Sequence, residues 1–483
     1  MTDEIDDDDL PGARFERAKR SIGLFAGPVV AALVYLITRD GPAPMLAALM
    51  ALAVTWWLSE ALPAAGVALA IAALAVLAGV ATPRQAYGAF GNPILFMFVG
   101  AFFIAEAMKV HGLGARAAAA TVAMARGPVS LLVALSGTTF VLSTMMSNAA
   151  ATAIVLPIAL AATATADRRY QAAMVLAVAW GASMGGLGTP VGTPPNLIGI
   201  GELRKRGLDV SFGTWMQVGL PIGLSMLAVM WVTLVGVFGL RRADVTVVLP
   251  AGTERRPWSR GEQATLAAML IALVGWTAPS ILDAVAPGTR AAVWAKAHMS
   301  EETVAIVAGC LLFVMPGGGK PRRPALTWTE ATRIDWGVIL LFGGGILLGD
   351  LAKETGLTSA WGAELVDLTG AHSMWAVVAL CTGVAIVLSE ATSNTATCVL
   401  MAPLAASLAV AAGHSPVPAV LGATIGSSFG FMMPISTAPN AMAYGTGKVT
   451  MGQMMRAGII FDVIGFVVVV AGLRLLCPLL DLA

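Results

Sequence analysis

Long apolar runs alternate with short polar gaps along almost the whole of this chain. A membrane helix needs about 20 apolar residues, and candidate crossings fall at 21–38, 43–59, 64–81, 93–110, 170–189, 214–240, 263–285, 302–316, 335–352, 416–433 and 456–479. Two further apolar blocks, 128–166 and 373–413, are split near their centres by polar cassettes, Met146-Ser147-Asn148-Ala149-Ala150-Ala151-Thr152 and Thr392-Ser393-Asn394-Thr395-Ala396-Thr397. Irregular backbone at membrane depth must be enclosed by protein, so each block reads as a re-entrant helical hairpin. Beyond each cassette lies a second one, Thr193-Pro194-Pro195-Asn196 and Thr437-Ala438-Pro439-Asn440. Proline lacks a donor and disfavours helical geometry before it, so these are broken helices.

The pattern predicts an all-α polytopic membrane protein with about eleven transmembrane helices and two re-entrant hairpins. The two halves also match. Phe98-Val99-Gly100 through Glu106 to Gly112-Leu113 aligns with Phe342-Gly343-Gly344 through Asp350 to Gly356-Leu357. The same offset of 244 carries Gly186, Pro190, Thr193 and Pro195-Asn196 onto Gly430, Pro434, Thr437 and Pro439-Asn440, and the Ser-Asn cassettes pair at 246. Register kept across the most polar landmarks predicts an inverted repeat. With the N-terminus inside, the segments 1–20, 59–63, 109–127, 167–169, 241–262, 317–334 and 448–456 are cytoplasmic and hold 20 of the 29 Lys and Arg residues. That bias supports the orientation, against one discordant cluster, Arg204-Lys205-Arg206.

Composition narrows the class. The chain has 483 residues, 57% hydrophobic and 12% charged, with a mean hydropathy of +0.81, which excludes a soluble domain. The 53 Gly and 26 Pro fit close-packed, interrupted membrane helices. MTDEIDDDDL reads as a short acidic tail without a removable signal. Cys310, Cys381, Cys398 and Cys477 lack metal or redox spacing and read as small buried hydrophobes, the four His residues lie near predicted helix ends, and no basic stripe suggests nucleic acid.

At a hairpin tip one helix ends and another begins, so unpaired carbonyls and N–H groups lie together, each end carrying about half a unit of charge. Carbonyls with Ser and Asn oxygens suit a small cation, and the N–H end suits an anion. Across 128–166, 170–201 and 373–447 the one carboxylate is Glu390, and Lys and Arg are absent. Burying a bare dianion would cost on the order of tens of kcal/mol, and two helix starts supply about +1. A co-bound cation is the physical consequence. Glu390 reads as a proton carrier, an electrostatic partner for a cation, or a carboxylate at the aqueous mouth of the hairpin, and it has no acidic partner in sequence. Glu106 and Asp350 are intramembrane acids with Lys109 and Lys353 within a turn, which reads as local ion pairing.

At these residues the chain resembles the divalent-anion:sodium symporter family, the solute carrier thirteen type, within the ion transporter superfamily. Trp56-Trp57-Leu58-Ser59-Glu60-Ala61-Leu62-Pro63 is similar to the family's early Trp-x-x-x-Glu-Ala-x-Pro signature, and both tips and both breaks follow in order. The resemblance implies a homodimer of elevator type that moves dicarboxylates, tricarboxylates or sulfate with two or more sodium ions. It implies a tail at 1–20, scaffold helices over 21–127 and 214–372, transport-domain halves over 128–213 and 373–455, and a last helix in 456–483. Carried over by motif, Ser143, Ser147, Asn148 and Gly192 would hold one sodium ion, and Ser389, Thr392, Asn394 and Ser436 the other. Substrate oxygens would meet Asn148, Thr193, Asn394, Thr395 and Thr437.

Two departures stand out. Ala149 occupies a position where the family's tip has Thr, and Ala438 replaces the first Pro of the second break. Losing one hydrogen bond to a charged ligand costs about 1.5–3 kcal/mol, and Thr152, one turn along, is poorly placed to compensate. The expected protein is a multi-pass transporter of a bacterial inner membrane, surrounded by lipid, whose cargo is a small divalent anion, foremost a C4-dicarboxylate or citrate. A sodium-independent exchanger and a sodium:sulfate symporter are the alternatives on the same fold. An enzyme is not expected, because no nucleophile–base pair, metal cluster or acid dyad is visible.

Overall fold

The computed structural model describes residues 13–240, 257–319 and 323–482, so the acidic tail and most of 241–262 lie outside the described residues. Helices dominate, and the β structure among the described residues is a short antiparallel pairing of Pro316–Gly318 with Arg323–Pro324. Among the described residues eight helices are long and apolar enough to cross a membrane, and five shorter apolar ones have 10–17 residues. Several predicted spans are shorter than their apolar runs. Helix Pro416–Gly426 leaves 427–433 outside it, and Glu301–Leu311 stops ahead of the Gly-rich turn at 317–319. Large apolar side chains stand exposed, with Leu77 at 83%, Val285 at 79% and Phe25 at 74%. A water-facing surface of this kind would be costly, whereas lipid accepts it.

The chain folds as two compact units, Met1–Asn92 with Trp336–Gly370, and Pro93–Asp335 with Ala371–Ala483. In the first, helix Ala13–Ile37 packs along Pro44–Ser59, with Gly23 against Ser59 and Gly27 against the Trp56 indole. The Trp56–Pro63 signature is a helix stop. Glu60 caps Pro44–Ser59 with φ 52°, in the left-handed region, where a residue other than Gly is strained by about 1–2 kcal/mol. Lys19 at 3.9 Å and Arg20 at 3.5 Å pair with its carboxylate.

The second unit contains both hairpins and both breaks. Helices Pro128–Ser143 and Asn148–Ala162 form the first hairpin, Met374–Ala391 and Asn394–Ala411 the second. Pro157 and Pro403 interrupt the two outgoing helices at matching positions. The short helices after the breaks cross over. Pro194–Arg204, from the first half, packs on the outgoing helix of the second hairpin, while Ala438–Gly445, from the second half, packs on that of the first. Trp180 stacks on Phe461 at 5.1 Å and meets Phe431 edge-on at 5.4 Å, tying the first half to the second break.

The discordant Arg204-Lys205-Arg206 cluster is held in ion pairs. Arg204 meets Glu301 at 2.7 Å and Asp209 at 3.2 Å, and Glu202 takes Arg206 at 3.1 Å and Lys205 at 3.7 Å. Glu106 and Lys109 pair at 3.4 Å, as their spacing predicts. Among the cysteines, Cys381, Cys398 and Cys477 are buried, but Cys310 is exposed, because its side of helix Glu301–Leu311 faces outward.

Candidate functional site

At the first tip Ser147 caps the outgoing helix by accepting the Ala150 N–H at 3.3 Å. Buried Ser143, in the last turn of the incoming helix, donates to Asn148 Oδ1 at 2.8 Å. The break closes over this pair. A Cβ on Gly186 would strike Asn148 Oδ1, and one on Gly192 would strike the carbonyls of Gly186 and Ser143. Glycine is therefore required by close backbone approach. Thr189 donates its hydroxyl to the Thr144 carbonyl, and Asn196 donates to the carbonyls of Gly186 at 2.7 Å and Thr189 at 2.8 Å. Ser143, Asn148 and Gly192 are thus brought together, with Ser147 at the adjoining cap.

The second tip repeats the plan. Ser393 caps the outgoing helix through the Ala396 N–H at 3.2 Å, and Ser389 Oγ lies 2.8 Å from Asn394 Oδ1 and 2.7 Å from the Ser427 carbonyl. Ser436 Oγ lies 2.7 Å from the Gly430 carbonyl and 2.8 Å from that of Met433. Asn440 donates to Gly430 O at 2.7 Å and Met433 O at 3.1 Å. Ser389 and Ser436 come to this cluster with Asn394, whereas the Thr392 hydroxyl is engaged by the Leu388 carbonyl at 2.9 Å and Thr397 at 2.8 Å. Thr392 is not the counterpart of Ser147; that place belongs to Ser393, since it is the side chain that starts the helix.

Acceptors outnumber hydrogens here. A hydroxyl has one proton, yet Ser389 and Ser436 each face two acceptors, and the buried Oδ1 atoms of Asn196 and Asn440 have no partner. Such a surplus of neutral oxygens is relieved by a small cation. Among the described residues no group of His, Cys, Asp and Glu could hold a metal ion. The substrate candidates Asn148, Thr193, Asn394, Thr395 and Thr437 stand at the starts of four helices. Four such starts offer roughly +2 in total, twice the value reckoned from two.

Sequence reasoning left Asn196 and Asn440 out of both ligand sets and gave Asp462 no role. Asn196 and Asn440, the last residues of the two break cassettes, hold the broken backbone with their amides; their matched positions were the available signal. Glu390 is 6% exposed, which excludes a place at an aqueous mouth. Its carboxylate accepts the N–H groups of Phe431 at 2.6 Å, Met432 at 2.9 Å and Met433 at 3.1 Å. Asp462, on the last helix and 5% exposed, lies with its carboxyl group against that of Glu390. The acid partner that Glu390 lacks in sequence is supplied by the fold. Both acids are enclosed, and Glu390 is occupied by backbone.

Gly192→Ala should abolish substrate uptake, because the methyl group would press on two cluster carbonyls. Gly137→Ala, in the first hairpin with nothing within 4 Å of the added carbon, should leave uptake unchanged. Equal uptake in the two variants would disprove the close-approach role.

Paired hairpin tips, paired breaks and a lipid-ready surface define a multi-pass membrane protein of the transporter class. The chain belongs to the citrate transporter family, which it matches over residues 54–413 and 290–480. It is 30% identical to the sodium-dependent dicarboxylate transporter SdcS of Staphylococcus aureus (strain USA300), over 96% of this chain and 92% of that protein, and equally to SdcS of strain MSSA476. In fold it is similar to the Alcanivorax borkumensis YdaH transporter, with TM-score 0.57 and 14% identity over 83% of this chain and 87% of that one. Neisseria gonorrhoeae MtrF also has TM-score 0.57, with 12% identity over 83% of each chain. The family resemblance seen in the cassettes is borne out.

Proposed function

We propose that this protein is a sodium-coupled symporter of small divalent anions, foremost C4-dicarboxylates such as succinate, malate and fumarate, with citrate as a further cargo. The observation that carries this reading is the surplus of neutral oxygen acceptors at the second tip, with the unpartnered Oδ1 of Asn196 in the first break, in a region without Lys or Arg. A dianion there is balanced by helix dipoles and by cations in the neighbouring clusters. Each ligand lowers the electrostatic cost of the other, which is positive coupling. The similarity to SdcS, by its name a sodium-dependent dicarboxylate transporter, supports the cargo and the ion. On this reading the sodium ligands are Ser143, Ser147, Asn148 and Gly192 at one site, and Ser389, Asn394 and Ser436 with Thr392 nearby at the other.

The proposal includes eleven crossings with the two hairpins in an inverted repeat and the N-terminus in the cytoplasm. Transport halves 128–213 and 373–455 would move as an elevator past the scaffold of a homodimer in a bacterial inner membrane. Uptake of labelled succinate into proteoliposomes tests it directly. A sodium gradient should drive accumulation and potassium should not. Uptake unchanged without sodium, dependent on internal dicarboxylate, would instead establish an exchanger, and accumulation of sulfate alone would reassign the cargo.

A further inference from the structure

Two groups of helices meet where the first post-break helix ends. Pro194–Arg204 packs on Asn394–Ala411 and Pro416–Gly426, and Phe212–Phe238 packs chiefly along Arg168–Gly186 and Met451–Leu479, so both belong with the tips and breaks. Glu301–Leu311 packs instead along Pro93–His111 and Arg260–Val285. One carboxylate joins the two groups. Glu301, the first residue of its helix and with a side chain 11% exposed, accepts a hydrogen bond from Arg204 Nη2 at 2.7 Å on Oε2 and the Phe212 N–H on Oε1. It therefore holds both ends of the 205–211 connection, the end of one helix and the start of the next. Trp276 fixes the Glu301 side by donating its indole N–H to the Glu301 carbonyl at 2.9 Å.

Arg204 also has a partner that travels with it. Its Nε donates to Asp209 Oδ1 at 3.2 Å, from within the connection, and the Asp209 side chain is 74% exposed. Glu302, next to Glu301, stands 4.0 Å from Arg204. A cavity of about 700 Å³ lies against these groups. Breaking a buried ion pair is costly because it leaves a bare charge. Here Arg204 keeps Asp209 and the cavity admits water to Glu301, so the contact can open without stranding either charge.

We propose that Glu301 is a positioning residue: through Arg204 and Phe212 it latches the helices that carry the anion site to the neighbouring helix group, and transport opens this latch in each cycle. This rests on the elevator reading above and places helix Phe212–Phe238 on the moving side, where it packs. Asp209 opposes the latch, since it neutralises Arg204 in both positions and so lowers the cost of opening. Substitutions on the two acids therefore bias one two-state element in opposite directions.

Spin labels at Gln217→Cys, exposed on the moving side, and Ala291→Cys, exposed on helix Arg290–His298, test the latch in a Cys310→Ser background that removes the exposed cysteine. Pulsed electron spin resonance in proteoliposomes, with and without sodium and succinate, reads the populations of the two positions as two distances. Glu301→Gln keeps an acceptor for the Phe212 N–H but loses the charge, and should cut the latched population against the other by about tenfold, the worth of one hydrogen bond to a charged group. Asp209→Asn, at an exposed side chain, should raise it, because Arg204 then loses the partner it keeps when the latch is open. A latched population that Glu301→Gln leaves unchanged or raises, or that Asp209→Asn leaves unchanged or lowers, overturns the latch. If wild-type protein gives one distance under every condition, the elevator reading itself fails.

Discussion

Asn148→Ala and Asn394→Ala should each reduce sodium-driven succinate uptake to background while the protein still inserts and elutes as wild type. Each asparagine presents Oδ1 to a serine hydroxyl at 2.8 Å, Ser143 in one half and Ser389 in the other, and each opens a helix whose N–H end is the proposed anion contact. On the proposed reading one residue belongs to both the cation cluster and the anion end, and truncation weakens both ligands. An interaction with a charged group is worth about 1.5–3 kcal/mol, so losing one raises the sodium half-saturation at least about tenfold. The loss of coupling compounds it. Wild-type uptake in both variants would reduce the tips to structural turns.

Glu390→Gln should lower thermal stability and raise sodium half-saturation more than succinate KM. The carboxylate accepts two N–H groups on Oε1 and a third on Oε2. A glutamine has one acceptor oxygen, so one N–H meets an NH2 group, at about 1–3 kcal/mol for a buried unsatisfied donor. The strained segment includes Met433, whose carbonyl lies in the second cation cluster, and Glu390 follows Ser389 directly. The damage therefore reaches the cation cluster first. Wild-type melting and sodium dependence in Glu390→Gln would refute the clamp, and transport that survived with only its pH dependence lost would make Glu390 a proton carrier.

Much of the site is legible before folding because it repeats. Ser143 with Asn148 and Ser389 with Asn394 recur with the same spacing and make the same 2.8 Å contact. Asn196 and Asn440 repeat the bracing of the break through carbonyls ten residues back, at 2.7 Å in both. Thr392 shows the limit of motif transfer. It stands where a ligand is expected, yet it turns to Thr397, because position in a motif does not determine a rotamer. Glu390 shows another limit. Its partners at Phe431, Met432 and Met433 are backbone groups, which leave no mark in side-chain pattern, and Asp462 lies on a helix that reads as an ordinary span.

Apolar run lengths, the prolines and glycines of the breaks, and the missing basic residues determine on their own that this chain enters a membrane and interrupts its helices in matched pairs, since each is a local property of the backbone and its solvent. Which oxygens gather around one point is decided only in three dimensions. The crossing of the post-break helices onto the opposite hairpins, the closure of Gly186 and Gly192 over Ser143 and Asn148, and the enclosure of Glu390 by three N–H groups all join residues from distant stretches of chain. Hydropathy and local spacing contain no term for such packing.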